Sequence, residues 1–466
     1  MQPKRLALSA ITLLSPALLV PCPATAAAAE KIPDLPWGLP FLGMLASIAL
    51  LPMLAPRFWH KRVWLVSMSW CLALIVPQTV MRGIDVSASA TWHAILIEYL
   101  PFVSLLAALY VVGGGILLRG GPWGTPSGNT LLLAIGTVLA GVMGTTGAAM
   151  VLIHPLLRAN AHRVRKTHLT VFFIVLVANA GGATTPLGDP PLYVGFLHGV
   201  PFGWPLRNLG LPLLVLAVPL LAAFWLLDRQ LAAGERPPEP TQALHLRGWG
   251  NVALLGAIVA TVVLQGFWHP GDVSLIGQDI GAERLVAMAI LAGVAGISLW
   301  ITPRAVHQAN MFSWAPIEEV AILFAAIFIT IGPVMDMLHA GMQGPLAPLL
   351  RLNVDADGHP LPLVTFWMAG VLSAFLDNAP TYLVFFELAG GDAAVLTGQL
   401  NPSLTALAAG AVFFGALTYI GNAPNMMVRA IAAHRGVRMP GFFGYMAWSG
   451  ALLLPGFVLL SLVFFR

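Results

Sequence analysis

Two aspartates are the ionisable residues in this sequence best placed for transport chemistry. Asp189 lies in NAGGATTPLGDPP (179–191) and Asp377 in FLDNAPT (375–381), and both segments interrupt long apolar stretches. A carboxylate at bilayer depth is costly and usually marks an ion or proton path. Burial favours the protonated form of such a carboxylate, and a nearby cation favours its ionised form. The group can therefore exchange a bound proton for a bound cation. The structural alternatives are a helix cap for Asp189 and a hydrogen bond to the opposing break for Asp377.

Hydroxyl and amide side chains accompany these aspartates at four interruptions of the apolar pattern. Unwound backbone carbonyls at such breaks coordinate cations, and half-helix N-termini attract anions. The side-chain oxygens add to both kinds of site, although helix capping is the alternative for any single residue. The candidates are Thr145, Thr146, Asn179, Thr184, Thr185, Asn378, Thr381, Asn422 and Asn425.

Composition assigns the chain to the membrane. Of 466 residues, 58% are hydrophobic and 9% are charged, against roughly 25% charged in soluble domains. The net charge of +4 is small and shows no nucleic-acid footprint. Cys22 and Cys71 suggest neither a disulfide nor a metal site. No GxxxxGK[ST] loop is present and no HExxH or GxSxG set occurs at a break, which argues against an ATP-driven pump and an enzyme.

The first residues have the pattern of a secretory signal. Lys4 and Arg5 precede a short apolar run, and small residues follow at 24–29. We expect residues 1–29 to be a cleaved signal peptide, with an uncleaved first helix as the alternative. Cleavage would leave the mature N-terminus outside the cytoplasm.

Basic clusters orient the first half of the chain, which we place at 37–227. Spans near 37–53, 63–81 and 93–118 leave the clusters at Arg57 and Arg119 in the cytoplasm, as the positive-inside rule requires. The stretch 131–157 is either a simple crossing or a re-entrant hairpin. The basic loop 158–166 favours the hairpin, with arms of about 10–12 residues, or half a bilayer. The small and polar segment 143–149 is its expected tip. A broken span at 170–199 and a final span at 209–227 follow.

The second half, at 249–465, follows a polar cytoplasmic linker at 228–248 and repeats the same order. A hairpin at 361–388 precedes a broken span at 404–431, and a last span ends the chain. We therefore predict an all-α polytopic membrane protein made of two inverted repeats of five spans. Each repeat has one re-entrant hairpin and one broken helix, and an odd span number gives the halves opposite orientations. Paired interruptions of this kind indicate the binding site of a transporter.

Three motifs carry a resemblance to a known superfamily. NAGGATTPLGDPP (179–191), LDNAPTYLVFF (376–386) and YIGNAPNMMV (419–428) resemble the ion transporter superfamily, and more narrowly bacterial sodium/proton antiporters or citrate transporters. The resemblance implies paired hairpins and unwound helices around a central site, in a homodimer with a scaffold and a moving domain. It adds Gly421 to the candidate site. The Thr-Thr-Gly and Asp-Asn-Ala-Pro-Thr tips depart from the Ser-Asn-Thr signature of the dicarboxylate symporters, which weighs against dicarboxylate specificity.

These observations lead to one functional expectation. We expect a secondary transporter of the bacterial inner membrane that exchanges sodium for protons by alternating access, with no cofactor and with sodium and protons as its transported or coupling ions. Its partners would be the lipid bilayer, the transported cation or carboxylate, and a second copy of the chain. Sodium is expected at Asp377, Asn378, Asn422 and Asn179. A sodium- or proton-coupled citrate or dicarboxylate symporter is the alternative.

Overall fold

The computed structural model describes residues 33–235, 243–355 and 360–466. The predicted signal peptide at 1–29, with Cys22, lies outside the described residues. The helices of the first half are α1 (Leu39–Leu54), α2 (Pro56–Arg82), α3 (Ile84–His93), α4 (Leu100–Gly114), α5 (Pro126–Met143), α6 (Thr145–Ala159), α7 (Thr167–Leu176), α8 (Pro190–Leu197) and α9 (Trp204–Ala232). A π-helical stretch, Ala94–Tyr99, joins α3 to α4.

Among the described residues, the second half contains a further eleven α-helices. They are α10 (Trp249–Gln265), α11 (Ala282–Ile301), α12 (Arg304–Ala309), α13 (Ala315–His339), α14 (Ala347–Arg351), α15 (Pro362–Leu376), α16 (Asn378–Leu388), α17 (Ala393–Thr397), α18 (Asn401–Phe414), α19 (Ala423–His434) and α20 (Phe442–Phe464).

In the part of the chain that the structure describes, two short antiparallel strand pairs lie in loops between the helices. β1 (Leu117–Arg119) pairs with β2 (His245–Arg247), and β3 (Asp272–Leu275) pairs with β4 (Gln278–Gly281). The expectation of an all-α chain is therefore correct except in these loops. The third span, predicted to end at residue 118, ends at Gly114. Leu117 and Leu118 belong to β1 instead.

The chain is a multi-pass membrane protein. Within the described residues, nine helices are long and apolar enough to cross a bilayer, and three more apolar helices are shorter. Large apolar side chains on these helices face outward, including Val80 at 81% and Trp300 at 86% exposure. Such exposure is favourable only where lipid, rather than water, surrounds the helix.

Hydrogen bonds gather the basic loops on one face, which we call the basic face. Asn251 Nδ2 donates to Gly115 O (3.0 Å), and Arg158 Nη2 donates to Leu118 O (2.8 Å). Thr167 Oγ1 donates to Arg438 O (2.9 Å). The predicted cytoplasmic loops of both halves therefore lie together, as the positive-inside rule expects.

A second set of contacts defines the opposite face. Arg284 Nη2 donates to Leu197 O (2.7 Å), and Trp204 Nε1 donates to Asn401 Oδ1 (2.7 Å). Gln278 Nε2 donates to Ser89 Oγ (3.0 Å). The predicted outer loops of both halves meet here.

Helices α5 and α6 form a hairpin that starts and ends on the basic face. They reverse at Gly144, whose φ is +78°, and Asn129 Nδ2 at the base of α5 donates to Asn160 Oδ1 after α6 (3.0 Å). The arms contain 18 and 15 residues, so the prediction of about 10–12 residues was wrong. Polar residues at the base remain helical because a buried network satisfies them.

That network contains a carboxylate that we predicted to lie in the linker. α9 continues to Ala232, and Asp228 is buried inside it instead of starting the linker. Its carboxylate accepts hydrogen bonds from Arg163, from His168 Nε2 (2.9 Å) and from Asn129 Nδ2 (2.9 Å). A charge this deep is tolerated only when paired and hydrogen-bonded. This cluster, which we call the base cluster, holds the first hairpin, α7 and α9 together.

The second hairpin, α15 and α16, has both ends on the opposite face. It reverses at Asp377, Thr365 Oγ1 near its start donates to Asn353 Oδ1 (2.8 Å), and Glu387 near its end pairs with His339 (2.6 Å). The core lies beside the hairpins, around α7 and α18. These two helices are buried on all sides, as Phe173 and Val412 illustrate at 0% exposure.

Candidate functional site

Asp189 lies where both hairpins and both broken helices meet. It is 1% exposed and occupies the N-cap position of α8, but its side chain makes no cap hydrogen bond. Its carboxylate instead accepts from Thr145 Oγ1 (3.2 Å), Asn422 Nδ2 (3.0 Å) and Asn378 Nδ2 (2.5 Å). The capping alternative for Asp189 is therefore wrong, because the side chain links four elements from both halves.

The groups around Asp189 are related by a constant shift along the chain. Thr185 Oγ1 donates to Gly141 O, and 233 positions later Thr418 Oγ1 donates to Ala374 O. The sequence GATTPLGDPP (182–191) has the same shift from GALTYIGNAP (415–424). By this relation Thr145 corresponds to Asn378, and Asp189 corresponds to Asn422. The four side chains at the centre are thus two equivalent pairs.

Glycines bring each broken helix back onto itself at equivalent places. A Cβ added to Gly188 would collide with Gly182 O, and one added to the equivalent Gly421 would lie 2.8 Å from Gly415 O. Real Cβ atoms do not approach oxygen this closely without a shift, so the tight crossing needs glycine. Gly421 of the candidate site is therefore a packing residue.

An amide ladder extends from the centre into the core. Asn422 Nδ2 donates to Asn179 Oδ1 (3.2 Å), and Asn179 Nδ2 donates to Asn425 Oδ1 (2.7 Å). Asn425 Nδ2 then donates to the carbonyls of Gly415 (2.8 Å) and Thr418 (2.9 Å). The ladder satisfies backbone that the break leaves without helical partners, as buried polar groups require.

Asp377 has a strained backbone at the tip of the second hairpin. Its φ of +76° and ψ of +149° match those of Gly144, +78° and +150°, at the tip of the first. A non-glycine residue rarely occupies this region, and such strain clusters at functional sites. Its carboxylate accepts from the N–H of Asn378 (2.7 Å), so the hydrogen bond observed is not the alternative one to the opposing break.

A cavity of about 490 Å³ adjoins the centre and separates it from α1, α4 and α13. It reaches the start of α13 on the basic face, where Asn310 and Ser313 line it. Among the predicted residues, five line this cavity: Thr145, Thr146, Asp189, Asp377 and Asn422. The cavity thus extends from beside the buried central carboxylate toward the basic face.

The other predicted residues lie behind the cavity wall. Asn179, Asn378 and Asn425 belong to the buried network, and Thr185 fastens the first break to the first hairpin. Thr184 packs against Gly141, and Thr381 donates to Asp377 O (2.9 Å). Of the four expected sodium ligands, Asn378 and Asn422 contact Asp189 directly. Asn179 is connected to Asp189 only through Asn422, and the Asp377 carboxylate bonds to its own hairpin.

Sequence reasoning missed two residues of this region. Thr418 forms the same clamp as Thr185, and comparing the two motifs of the sequence with each other reveals it. Glu319, near the start of α13, lines the cavity and accepts from Trp59 Nε1 (2.8 Å). No local pattern distinguishes Glu319 from its exposed neighbour Glu318.

His154 belongs to neither the cavity nor the centre. It is fully buried in α6, and its Nε2 lies 3.1 Å from Asn310 O. The structure thus gives a core position rather than a place beside the central carboxylate.

A family model described as putative citrate transport matches residues 29–465. The chain belongs to this family. An uncharacterized transporter of Mycobacterium tuberculosis is 25% identical over 353 residues, which cover 73% of this chain and 77% of the relative. An uncharacterized transporter of Synechocystis is 25% identical over 336 residues, covering 66% of this chain and 71% of the relative.

Another related protein has a more specific name. Sodium/proton antiporter 1 of Arabidopsis thaliana is 26% identical over 261 residues, covering 54% of this chain and 42% of that protein. This citrate-transport family member is accordingly a membrane transporter. Its relatives are transporters too, a class of proteins that are generally not enzymes.

Proposed function

We propose that this chain exchanges sodium for protons across the bacterial inner membrane by alternating access. The observation that carries the proposal is the Asp189 carboxylate, buried at the meeting point of both hairpins and both breaks. A carboxylate there can hold either a proton or a cation, and its occupant changes contacts to four elements at once. Cation binding and helix movement would therefore be coupled.

Oxygen atoms beside Asp189 support a small hard cation. Asn378 Oδ1 is buried and has no hydrogen-bond partner, while its amide nitrogen contacts Asp189. Thr145 contributes a hydroxyl at the same carboxylate. A buried acceptor without a donor is costly, and a bound cation would remove that cost. We therefore assign sodium to Asp189, Asn378 and Thr145, with Asn422 and Asn179 positioning them, and Asp377 at the cavity wall.

Opposite orientation of the two halves is part of the proposal. The hairpins have their ends on different faces, and their surroundings follow one constant shift, which is what inverted repeats require. Hairpins and broken helices would move as one unit against a scaffold formed by spans within 37–118 and 249–338. The scaffold would also form the contact of a homodimer, which the mass of the purified protein tests.

The cavity indicates which side of the site is open. It reaches the basic face, which the positive-inside rule assigns to the cytoplasm. On the opposite face, His339 Nε2 lies 2.6 Å from Glu387 and His198 Nε2 lies 3.6 Å from Glu98. Glu98 lies in the proposed scaffold, and His339 is the last residue of the scaffold helix α13, so both pairs join the scaffold to the proposed moving unit. We infer that this conformation is open inward and closed outward.

A sodium- or proton-coupled symporter of citrate or a dicarboxylate is the second candidate. The family description favours it, and the cavity is larger than a bare cation needs. Against it, no Lys or Arg is among the described residues that line the cavity. A trianion would have to rely on amides, hydroxyls and helix N-termini alone.

Inverted membrane vesicles distinguish the two candidates. In vesicles with an acidic interior, added sodium should dissipate the proton gradient, and Asp189→Asn should abolish the effect. Asp272→Asn, in the exposed strand β3, is the matched control and should behave as wild type. Sodium- or proton-driven uptake of labelled citrate without sodium-dependent dissipation would replace the proposal with the second candidate.

A further inference from the structure

The cavity beside the centre has the size of a small-molecule pocket. Its volume of about 490 Å³ falls in the typical range of roughly 300–1,000 Å³ for such pockets. One water molecule takes about 30 Å³ in the liquid, and a sodium ion held by Asp189 needs no more than a similar space. The volume therefore exceeds the need of a sodium/proton exchanger.

The Asp and Glu side chains in the described cavity lining are its only residues of the types that usually carry a charge at neutral pH. Asp189 and Asp377 lie at the centre, and Glu319 lies across the cavity on α13. Within the described lining there is no Lys, Arg or His. An anionic cargo would meet acidic side chains and no cation in a partly desolvated space, whereas a cation would meet groups that can carry the opposite charge.

The remaining walls suit an apolar body that carries positive charge. Trp59, Tyr110, Tyr193 and Phe324 supply aromatic surface, and aromatic faces attract cations. Met143 and Met150 add flexible, polarizable side chains that adapt to ligands of different shape. These residues do not take part in the hydrogen-bond network around Asp189.

Glu319 provides an anchor that is separate from that network. Trp59, itself 2% exposed, donates its Nε1 proton to Glu319 Oε1 (2.8 Å) and fixes the carboxylate at the cavity wall. We propose that the cavity binds a monovalent organic cation with an apolar body, of the protonated-amine or quaternary-ammonium class, with its charge held by Glu319. The inference rests on the proposed function, because transport of this cargo would use the same alternating access.

Binding of ethidium, an aromatic quaternary cation, tests the inference with the full chain purified in detergent. Fluorescence anisotropy should report saturable binding, and Glu319→Gln should weaken it about tenfold, the loss expected of one charged contact. Gln keeps an acceptor for Trp59, and thermal unfolding monitors folding. Glu318→Gln, at the exposed neighbour, is the matched control and should bind as wild type.

Two outcomes overturn the inference. One is equal ethidium affinity in the Glu319 and Glu318 variants, and the other is displacement of ethidium by citrate but not by tetrabutylammonium. Sodium-dependent proton exchange by the wild type in vesicles is measured in parallel. If the wild type binds ethidium but does not exchange sodium for protons, the sodium/proton proposal alone is refuted. If it exchanges sodium for protons but does not bind ethidium, this inference alone is refuted.

Discussion

The segments 141–191 and 374–424 share three local features but differ in where they carry an aspartate. Both contain a hairpin tip with positive φ, a threonine clamp and a glycine crossing. Asp189 in the first segment corresponds to Asn422 in the second, and Gly144 corresponds to Asp377. The shared features therefore supply a common framework, and the positions at which the two segments differ carry the aspartates.

The two hairpin tips are also fastened differently. The N–H of Thr145 donates to Gly188 O in the adjacent break (2.9 Å), which ties the first tip to its own half. The equivalent N–H of Asn378 donates to the Asp377 carboxylate instead. The second tip therefore lacks the backbone hydrogen bond to the adjacent break that holds the first tip, because the Asp377 side chain takes up the N–H of Asn378. We infer that the second tip is more readily displaced from its break.

The largest expected effect follows from making the two breaks alike. Asp189→Asn gives both breaks the same residue and removes the central charge. The donors of Asn378 and Asn422 lose a charged acceptor worth about 1.5–3 kcal/mol per bond, so sodium-dependent exchange should fall at least about 100-fold. Vesicle assays measure this effect. If Asp189→Asn exchanged sodium for protons as the wild type does, the difference between Asp189 and Asn422 would have no role in transport.

The bases of the hairpins give the next largest difference. Asp228 in α9 lies in the charged base cluster, whereas Ser461, 233 positions later in α20, accepts one neutral bond from Trp367 Nε1 (2.9 Å). Asp228→Asn leaves Arg163 without its buried partner and should lower the free energy of unfolding by about 3–5 kcal/mol. Ser461→Ala should cost about 1 kcal/mol. Thermal unfolding in detergent compares them, and equal losses would contradict the assignment.

Substitutions at the two hairpin tips should change the stability of the protein by smaller and unequal amounts. Gly144→Ala forces a side chain into a left-handed backbone and should cost about 1–2 kcal/mol of stability. Asp377→Gly relieves similar strain but loses a cap worth about 1 kcal/mol, so its net effect should be near zero. Denaturation in detergent tests this prediction. A large loss of stability in Asp377→Gly would show that the aspartate has a structural role at the tip.

The threonine clamps should give the smallest and most equal effects. Thr185 and Thr418 make the same bond to the preceding hairpin and accept from Leu187 N and Ile420 N, respectively. Each Thr→Val substitution should cost about 1–2 kcal/mol, since buried partners lose one hydroxyl. The two variants are each other's control. Losses that differ by more than about 1 kcal/mol would weaken the equivalence of the two segments.

The sequence by itself determined the membrane class and the places where helices break. Apolar length and low charge require membrane spans, and Gly and Pro at 179–191 exclude a continuous helix, because these effects act within a few neighbouring residues. The same local logic located both hairpin tips within the segments 143–149 and 375–381.

Only the tertiary structure decided which polar groups meet and which charges are buried. It made Asp189 the centre instead of Asp377, drew Asp228 out of an expected linker into the base cluster, and brought Glu319 to the cavity. Each outcome depends on partners far away in the chain, such as Asn378 for Asp189 and Arg163 for Asp228. A buried charge is favourable only with those partners, and their spatial arrangement is set by packing rather than by local pattern.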